Sequence, residues 1–505
     1  MIRSEPLLNN YFIKKFWREN MIYRLTIFLL LLVSNLFAAQ DYTEKTFLLP
    51  QPIRIPTQST FYDYTDELIA RGESVDVGHF QATAFYQEST NKKQLGVYFG
   101  RNGRSEVCID SGTSANKTSF KAENFIFTDD QDSLQLKGTM QIAPWRRVEG
   151  IHLVYSKRLT KISKRLFIMA HAPVVQVTHC LGVCATDERT ELVEGRNVGV
   201  VCYFRGHLQQ KLDPYKQAPL RCARMTCCKR HCRSGVADVE LLLGHQFSNN
   251  DQYYLSPRAI VVIPTGNKST GACMFEPVVG HGQHWGVGFG VEAMTVFKKT
   301  DATKIDLTCA YNIKQFFSNT QRRTLGFRSD DWSSVRAWSH YELLGESGKY
   351  GVFPAANVLT QDVKVRPGLL FDCSMNLNIW HKNCLVNFGY NYFSRAGEDV
   401  LVRCWDDDRY ALVNPSTYVS TDPFTIAPDP DFGSDHNLEG PIQRAMLSTE
   451  VAASPPAITH KFYGLASYVH HSAPLTLGLG GAYEFSQDNA ALEGYELYFK
   501  LGWSF

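Results

Sequence analysis

Past residue 70, apolar and polar positions alternate along most of the chain, the period of strands with two unlike faces. In the final run Tyr495, Leu497, Phe499, Leu501, Trp503 and Phe505 share one face, opposite Glu496, Tyr498, Lys500, Gly502 and Ser504. Just before it, Leu475, Leu477, Leu479, Tyr483 and Phe485 stand opposite Thr476, Gly478, Gly480, Ala482 and Glu484. A long hairpin is predicted from Phe371 to Tyr392, turning near Trp380 to Asn383, with Ile379 opposite Cys384 and Cys373 opposite Tyr390. Similar runs cover Leu134 to Ile142, Val239 to Phe247, Trp285 to Ala293 and Ile305 to Ile313. No helical heptad competes over residues 130–505.

A soluble β-sandwich alternates too, so the period alone does not choose. Three features favour a transmembrane barrel. The runs are about 9–12 residues, matched to a tilted bilayer crossing. Aromatic residues sit near strand ends, as at Tyr390, Tyr392, Phe393, Trp503 and Phe505. The polar faces mix Asp, Asn, Lys and Glu with Gly, which suits a wetted lumen. The predicted fold is an all-β, antiparallel up-and-down transmembrane barrel of roughly 12–16 strands with long extracellular loops.

Domain limits follow. Residues 1–39 read as a signal peptide: Arg24 is the positive region, Leu25 to Phe37 the apolar region, and Ala38-Ala39 the small residues for cleavage. Met21 opens this signal, and is the expected start of translation. Residues 40–70 are expected as a periplasmic lead-in and 71–505 as the barrel, with long loops near 103–130, 180–235 and 396–459. Counting back from the C-terminus puts the loop at 396–459 outside the cell.

Composition narrows the partners. The 505 residues carry 52 basic and 50 acidic side chains, and nothing concentrates the basic ones as a nucleic-acid partner requires. Removing residues 1–39 takes five basic and two acidic residues, leaving 47 against 48. With 44% hydrophobic residues the chain is no disordered segment.

The last strand resembles the terminal strand of bacterial outer-membrane barrels, which ends in alternating aromatics and a final Phe. The matching residues are Tyr495, Leu497, Phe499, Leu501, Trp503 and Phe505. The resemblance implies the outer membrane of a diderm bacterium, contact with its lipid, and recognition of this strand by the barrel-assembly machinery. A second resemblance covers about thirty residues. Gly235-Val236-Ala237-Asp238-Val239-Glu240-Leu241, followed by Val261-Val262-Ile263-Pro264-Thr265-Gly266, is similar to a motif of transporter barrels for hydrophobic and aromatic compounds. These are of the phenol-degradation-pathway type, related to the long-chain fatty-acid transporter. Physically the motif is a β-hairpin with Ser248 to Gln252 as its turn.

Candidate chemistry is sparse. Cys222, Cys227, Cys228 and Cys232 with His231 could hold a metal, but the spacing is not that of a structural zinc site, and disulfides or loop thiols are the favoured account. Thirteen cysteines leave at least one without an intramolecular disulfide partner. Cys373 and Cys384 are expected on the apolar face as small lipid-facing side chains. The basic stretch Arg221, Arg224, Lys229, Arg230 and Arg233 reads as a solvated loop face rather than an anion site, and Asp406 to Asp408 as a solvated loop rather than a calcium loop. Glu276, His281 and His284 could imitate a metal site, but a strand-entry loop rich in Gly280, Gly282 and Gly286 is the favoured account. No nucleophile elbow, phosphate loop or dinucleotide fingerprint occurs, no catalytic set can be assembled, and no cofactor is expected.

The predicted function is a pore for passive diffusion of small solutes. Asp306, Asn312, Lys314, Asp372, Asn376, Asn378, Asn387 and Asn391 are expected to face the lumen and keep water in it. Two alternatives stand beside it: a surface adhesin or structural barrel with a plugged lumen, and a gated transporter of hydrophobic compounds. Association into a homo-oligomer is compatible with all three.

Overall fold

The computed structural model describes residues 43–52 and 78–505, apart from breaks within the connections. The longest breaks are 111–118, 122–136, 207–216 and 414–440. The expected signal segment and Met21 lie outside the described residues.

Twelve strands close one barrel. They are β1 (Gly78–Ser89), β2 (Trp145–Arg158), β3 (Leu166–Cys180), β4 in two pieces (Cys232–Val236 and Val239–His245), β5 (Tyr253–Ile263) and β6 (Gly286–Lys299). There follow β7 (Thr303–Phe316), β8 (Leu370–His381), β9 (Cys384–Arg395), β10 (Ala457–His470), β11 (Leu475–Ser486) and β12 (Gly494–Ser504). Each pairs antiparallel with the next, and β12 returns to β1 with Phe499 opposite Ala84 and Trp503 opposite Phe80. Mutual hydrogen bonds between Gly78 and Phe505 finish that seam, so no edge of the wall is left unpaired there.

The wall carries its apolar residues outward. Leu479, Leu497, Phe388, Phe499 and Phe289 are large apolar side chains left 48–68% exposed. The alternate positions, Lys500, Glu496, Lys461, Asp306 and Asn387, are buried. This inverts a water-soluble protein, where such a continuous apolar exterior would be a large hydrophobic patch. Aromatics crowd both rims of the outer face. Phe80, Tyr253, Phe297, Tyr468, Trp503 and Phe505 ring the end that carries the short turns. Toward the other end Phe462 and Phe485 lie 5.8 Å apart, His460 lies within 6.1 Å of both Tyr390 and Tyr392, and Tyr86 is 6.2 Å from Tyr495.

Two local irregularities shape the wall. β4 breaks at Ala237-Asp238 opposite Pro173 of β3, which has no N–H to continue the ladder; Ala237 N–H donates to the Pro173 carbonyl at 2.7 Å. Gly389 on β9 faces Tyr463 directly across on β10, and a Cβ there would stand 2.1 Å from the ring. Tyr463 is also held by a hydrogen bond to Asn376, so the ring is not free to withdraw. Gly389→Ala is expected to cost about 1–3 kcal/mol by overpacking, read as a lower urea midpoint of the refolded barrel; an unchanged midpoint would refute this packing.

The hairpin of β8 and β9 turns more tightly than expected. His381 pairs with Cys384 across Lys382-Asn383, with Lys382 at φ 51°, so Ile379 faces Val386 and Cys373 faces Tyr392. Cys384 is exposed on the outer face, whereas Cys373 is covered by its neighbours there and is 2% exposed. The run from Leu134 is corrected too: Lys137–Ile142 forms no part of the wall and pairs instead with Glu106–Asp110 and Val183–Arg189. Alternation marks a strand with two unlike faces, and here both faces belong to the cap rather than to the wall.

All the long connections leave from one end of the barrel: 90–144, 181–231, 264–285, 317–369 and 396–456, with the shorter 487–493 beside them. The other end carries only short turns. The long connections build a folded cap with small sheets, among them Asn319–Thr324, Thr360–Arg366 and Asp399–Val402. One core gathers Phe99, Ile142, Phe204, Phe275, Trp338 and Leu492 from five of these connections. A second, around Phe327, Leu359, Val365, Leu412 and Leu447, joins 317–369 to 396–456.

Candidate functional site

The mouth beneath this cap is where the chain's polar chemistry concentrates. Residues 43–52 belong with the long connections rather than with the short-turn end, where a lead-in to β1 was expected. They form an extended, buried strap. Thr46 N–H donates to Val451 O at 2.8 Å and its hydroxyl to Thr324 O at 2.6 Å. Gln51 and Leu492 exchange two hydrogen bonds, of 2.5 and 2.9 Å.

Three buried arginines hold the strap. Arg395, the last residue of β9, donates to Leu49 O at 2.7 Å and to Ser454 Oγ at 3.1 Å. Arg146, at the start of β2, donates to Gln51 O at 2.7 Å. Arg323, in the cap, lies over the Phe47 ring and pairs with Glu398 at 3.4 Å. Burial pushes its guanidinium down to about 10, which leaves it protonated at neutral pH. Charge-assisted donors on backbone carbonyls are stronger than neutral ones, so strands on opposite sides of the wall grip one segment.

The G-x-x-D and Pro-Thr-Gly residues meet at the same mouth. Asp238, turned inward at the break in β4, accepts from His281 N at 2.6 Å, His281 Nδ1 at 2.7 Å and Gly266 N at 3.4 Å. Thr265 Oγ1 donates to Ala237 O at 2.6 Å. Connection 264–285 is thereby fastened to the rim. Asp238→Ala should release it, giving faster proteolytic nicking between 264 and 285 while heat-modifiable migration persists; unchanged nicking would contradict this role.

The barrel interior is a web of paired groups. Asn378 donates to Asp306 at 2.7 Å, Asn387 to Asn378 at 2.6 Å, and Asn391 to Asp372 at 3.0 Å. Asn376 accepts from Tyr463. Lys314 on β7 reaches Glu240 on β4, three strands away. Asn312 is buried on the same face. On the far wall Lys461 lies 2.9 Å from Glu496 and 3.5 Å from Glu484. Arg258 pairs with Glu292 at 3.0 Å. Arg258, Glu292 and Lys461, like the strap arginines, are not among the candidates that the sequence offers; the signal for the first three is a charged residue at the inner parity of an otherwise apolar strand.

The loop candidates disperse. Cys180 is disulfide-bonded, while Cys222 is half-buried and Cys232 exposed. Cys227 and Cys228 lie outside the described residues, as do Lys229 and Arg230. Arg224 Nε donates to Ala272 O at 3.4 Å. Asp407 accepts from Arg444 N and Asp408 from Gln443. His284 is held between Phe317 O and Gln321.

Cap stability should depend on pH. Burial lowers His340 from 6.5 to about 3, and lowers His284 and His231 as well. A lowered imidazole pKa contributes stability that is intact above the unfolded value of 6.5 and lost as pH falls toward the folded value. Burial raises Glu44, whose contribution is full below 4.5 and lost as pH rises. Glu44→Gln removes the opposing carboxyl, so in that variant the imidazoles act alone and protease sensitivity of the cap should increase from pH 7 to pH 5. Equal sensitivity at both would contradict this.

The pairing and the mouth thus define a closed twelve-stranded β-barrel capped by its own loops. No family model matches the chain, and no curated protein does either. Solved structures do align. An outer membrane channel from Pseudomonas putida F1 covers 85% of this chain and 96% of its own, at 10% identity and a TM-score of 0.37. The Pseudomonas putida toluene transporter TodX covers 88% and 92%, at 10% identity and 0.31. The beta domain of the Bordetella autotransporter BrkA covers 85% and 100%, at 7% identity and 0.30. The likeness is structural and distant, and the barrel rests on its own strand pairing.

Proposed function

We propose that this chain is an outer-membrane barrel that passes small solutes through its interior, with its outer mouth closed by the strap and cap until they move. The observation that carries this is the inverted wall. Leu479, Phe388 and Phe499 face outward while Lys461, Glu496 and Asp306 are buried inside, a distribution stable only where the surrounding solvent is lipid. The cap end is then extracellular, since long loops face outside. Asp306, Asn312, Lys314, Asp372, Asn376, Asn378, Asn387 and Asn391 are the polar lining along the solute's path. Because Asp306, Asn378 and Asn387 are bonded in a chain, Asn391 bonds Asp372, Lys314 pairs with Glu240, Asn376 accepts from Tyr463 and three arginines grip the strap, the reading is a gated channel rather than an open diffusion pore.

The experiment is swelling of protein-loaded liposomes in small sugars. The native barrel should swell them slowly, and the double variant Arg146→Met, Arg395→Met several-fold faster, since it frees the strap while leaving the wall intact. Equal rates from two correctly migrating barrels would remove the strap from the gate. A second reading, a surface-contact barrel with a permanently filled interior, is favoured by the cap's own sheets and aromatic core. It requires that neither protein swell liposomes.

A further inference from the structure

The cap holds a cluster that the transport reading does not use. His231 ends connection 181–231, and Cys273 and Glu276 lie in connection 264–285. One ligand-type atom from each, an imidazole nitrogen, the Sγ and a carboxylate oxygen, lie within 4.8 Å of one another. Cys273 and Glu276 are buried, and His231 is half-buried. The sequence sets His231 among Cys222, Cys227, Cys228 and Cys232; the fold brings it to a different thiol.

The surroundings fix these groups in place. Glu276 accepts from Thr270 N at 2.6 Å, Thr270 Oγ1 at 2.5 Å and Cys273 N at 3.1 Å, so its carboxylate is oriented. His179 of β3 donates its backbone N–H to His231 O at 3.1 Å and holds Glu276 O through its Nδ1 at 3.1 Å. Its ring stacks 4.3 Å from Phe275. Phe275, between the two candidate ligands in the chain, sits at φ 54°, a left-handed conformation uncommon for a non-glycine residue.

We propose that His231, Cys273 and Glu276 form a site for a divalent transition-metal ion of the zinc class, which pins two cap connections to each other. The donor set of imidazole, thiolate and carboxylate suits zinc or cobalt rather than calcium or magnesium. Bonds of about 2.0–2.3 Å give a tetrahedral edge of roughly 3.5 Å, so the donors need close by only about 1 Å. Three protein ligands leave a fourth position for water. Binding displaces the Cys273 thiol proton to solvent and leaves the oxidation states unchanged. Arg224 and Arg233 add positive field beside His231; the thiolate and carboxylate together offset them.

The test uses the full refolded chain, its barrel verified by heat-modifiable migration, stripped with a chelator and titrated with Co2+ alone and then Zn2+. One equivalent should bind, Co2+ giving a thiolate charge-transfer band that Zn2+ abolishes. Cys273→Ser should remove the band. His231→Gln and Glu276→Gln should each weaken binding on the order of 10–100-fold or more, and Cys222→Ser should leave it unchanged. If Cys273→Ser does not fold, the His231 and Glu276 variants decide. No stoichiometric binding, binding lost equally in Cys222→Ser, or a native disulfide at Cys273 found by mass spectrometry would overturn the proposal.

Discussion

Leu479→Arg is expected to destabilise the barrel by about 2–4 kcal/mol in a lipid bilayer, the cost of an arginine near the midplane of a lipid-facing strand. Leu479 is 68% exposed at the middle of β11, so the substitution removes little protein packing. In a water-soluble barrel the same change would fall within about 0.5 kcal/mol, as most surface substitutions do. The two expectations differ by several-fold, and the sign of the membrane assignment rests on that difference. Urea unfolding of the barrel in vesicles reads it through the transition midpoint. A midpoint shift below about 0.5 kcal/mol would remove lipid from the account.

Lys461→Met should be worse still, at about 3–5 kcal/mol, because it strips the cation from two buried carboxylates. Lys461 Nζ lies 2.9 Å from Glu496 and 3.5 Å from Glu484, and all three side chains are 3% exposed or less. Glu484 also accepts from Thr459 at 2.5 Å, so the web loses its centre rather than an edge. Adding Glu496→Gln to the Lys461→Met background should recover part of the loss, since one of the two buried charges that Lys461 faced is removed. A single variant as stable as the native barrel would mean that water reaches these carboxylates, and hence that the lumen is open at that depth.

The wall was legible in the sequence because its period survives the fold. β12 alternates without a break from Gly494 to Ser504, and Asp306, Asn376 and Asn387, at the polar parity of β7, β8 and β9, are buried. Twelve strands fall at the lower limit of the expected range because Lys137–Ile142 went to the cap. The cap itself was not legible. Its strands are two to seven residues long and pair across large separations, as Gly326 does with Ser448, so neither period nor a nearby turn announces them. The strap was missed for a related reason. Thr43–Pro52 is extended and proline-spotted, and only Arg146, Arg323 and Arg395, scattered over 250 positions, reveal what holds it. The hairpin register erred by two residues because Lys382 adopts a left-handed turn conformation that its identity does not advertise.

Single-channel recording of the refolded barrel in a planar bilayer tests the central claim most directly, with heat-modifiable migration as proof of folding. The gated reading predicts that the native protein stays closed with rare, brief openings, and that Arg146→Met with Arg395→Met gives frequent, sustained steps in salt. Steady open conductance from the native barrel would contradict it, since a strap gripped by three arginines beneath a folded cap could not then be closing the mouth.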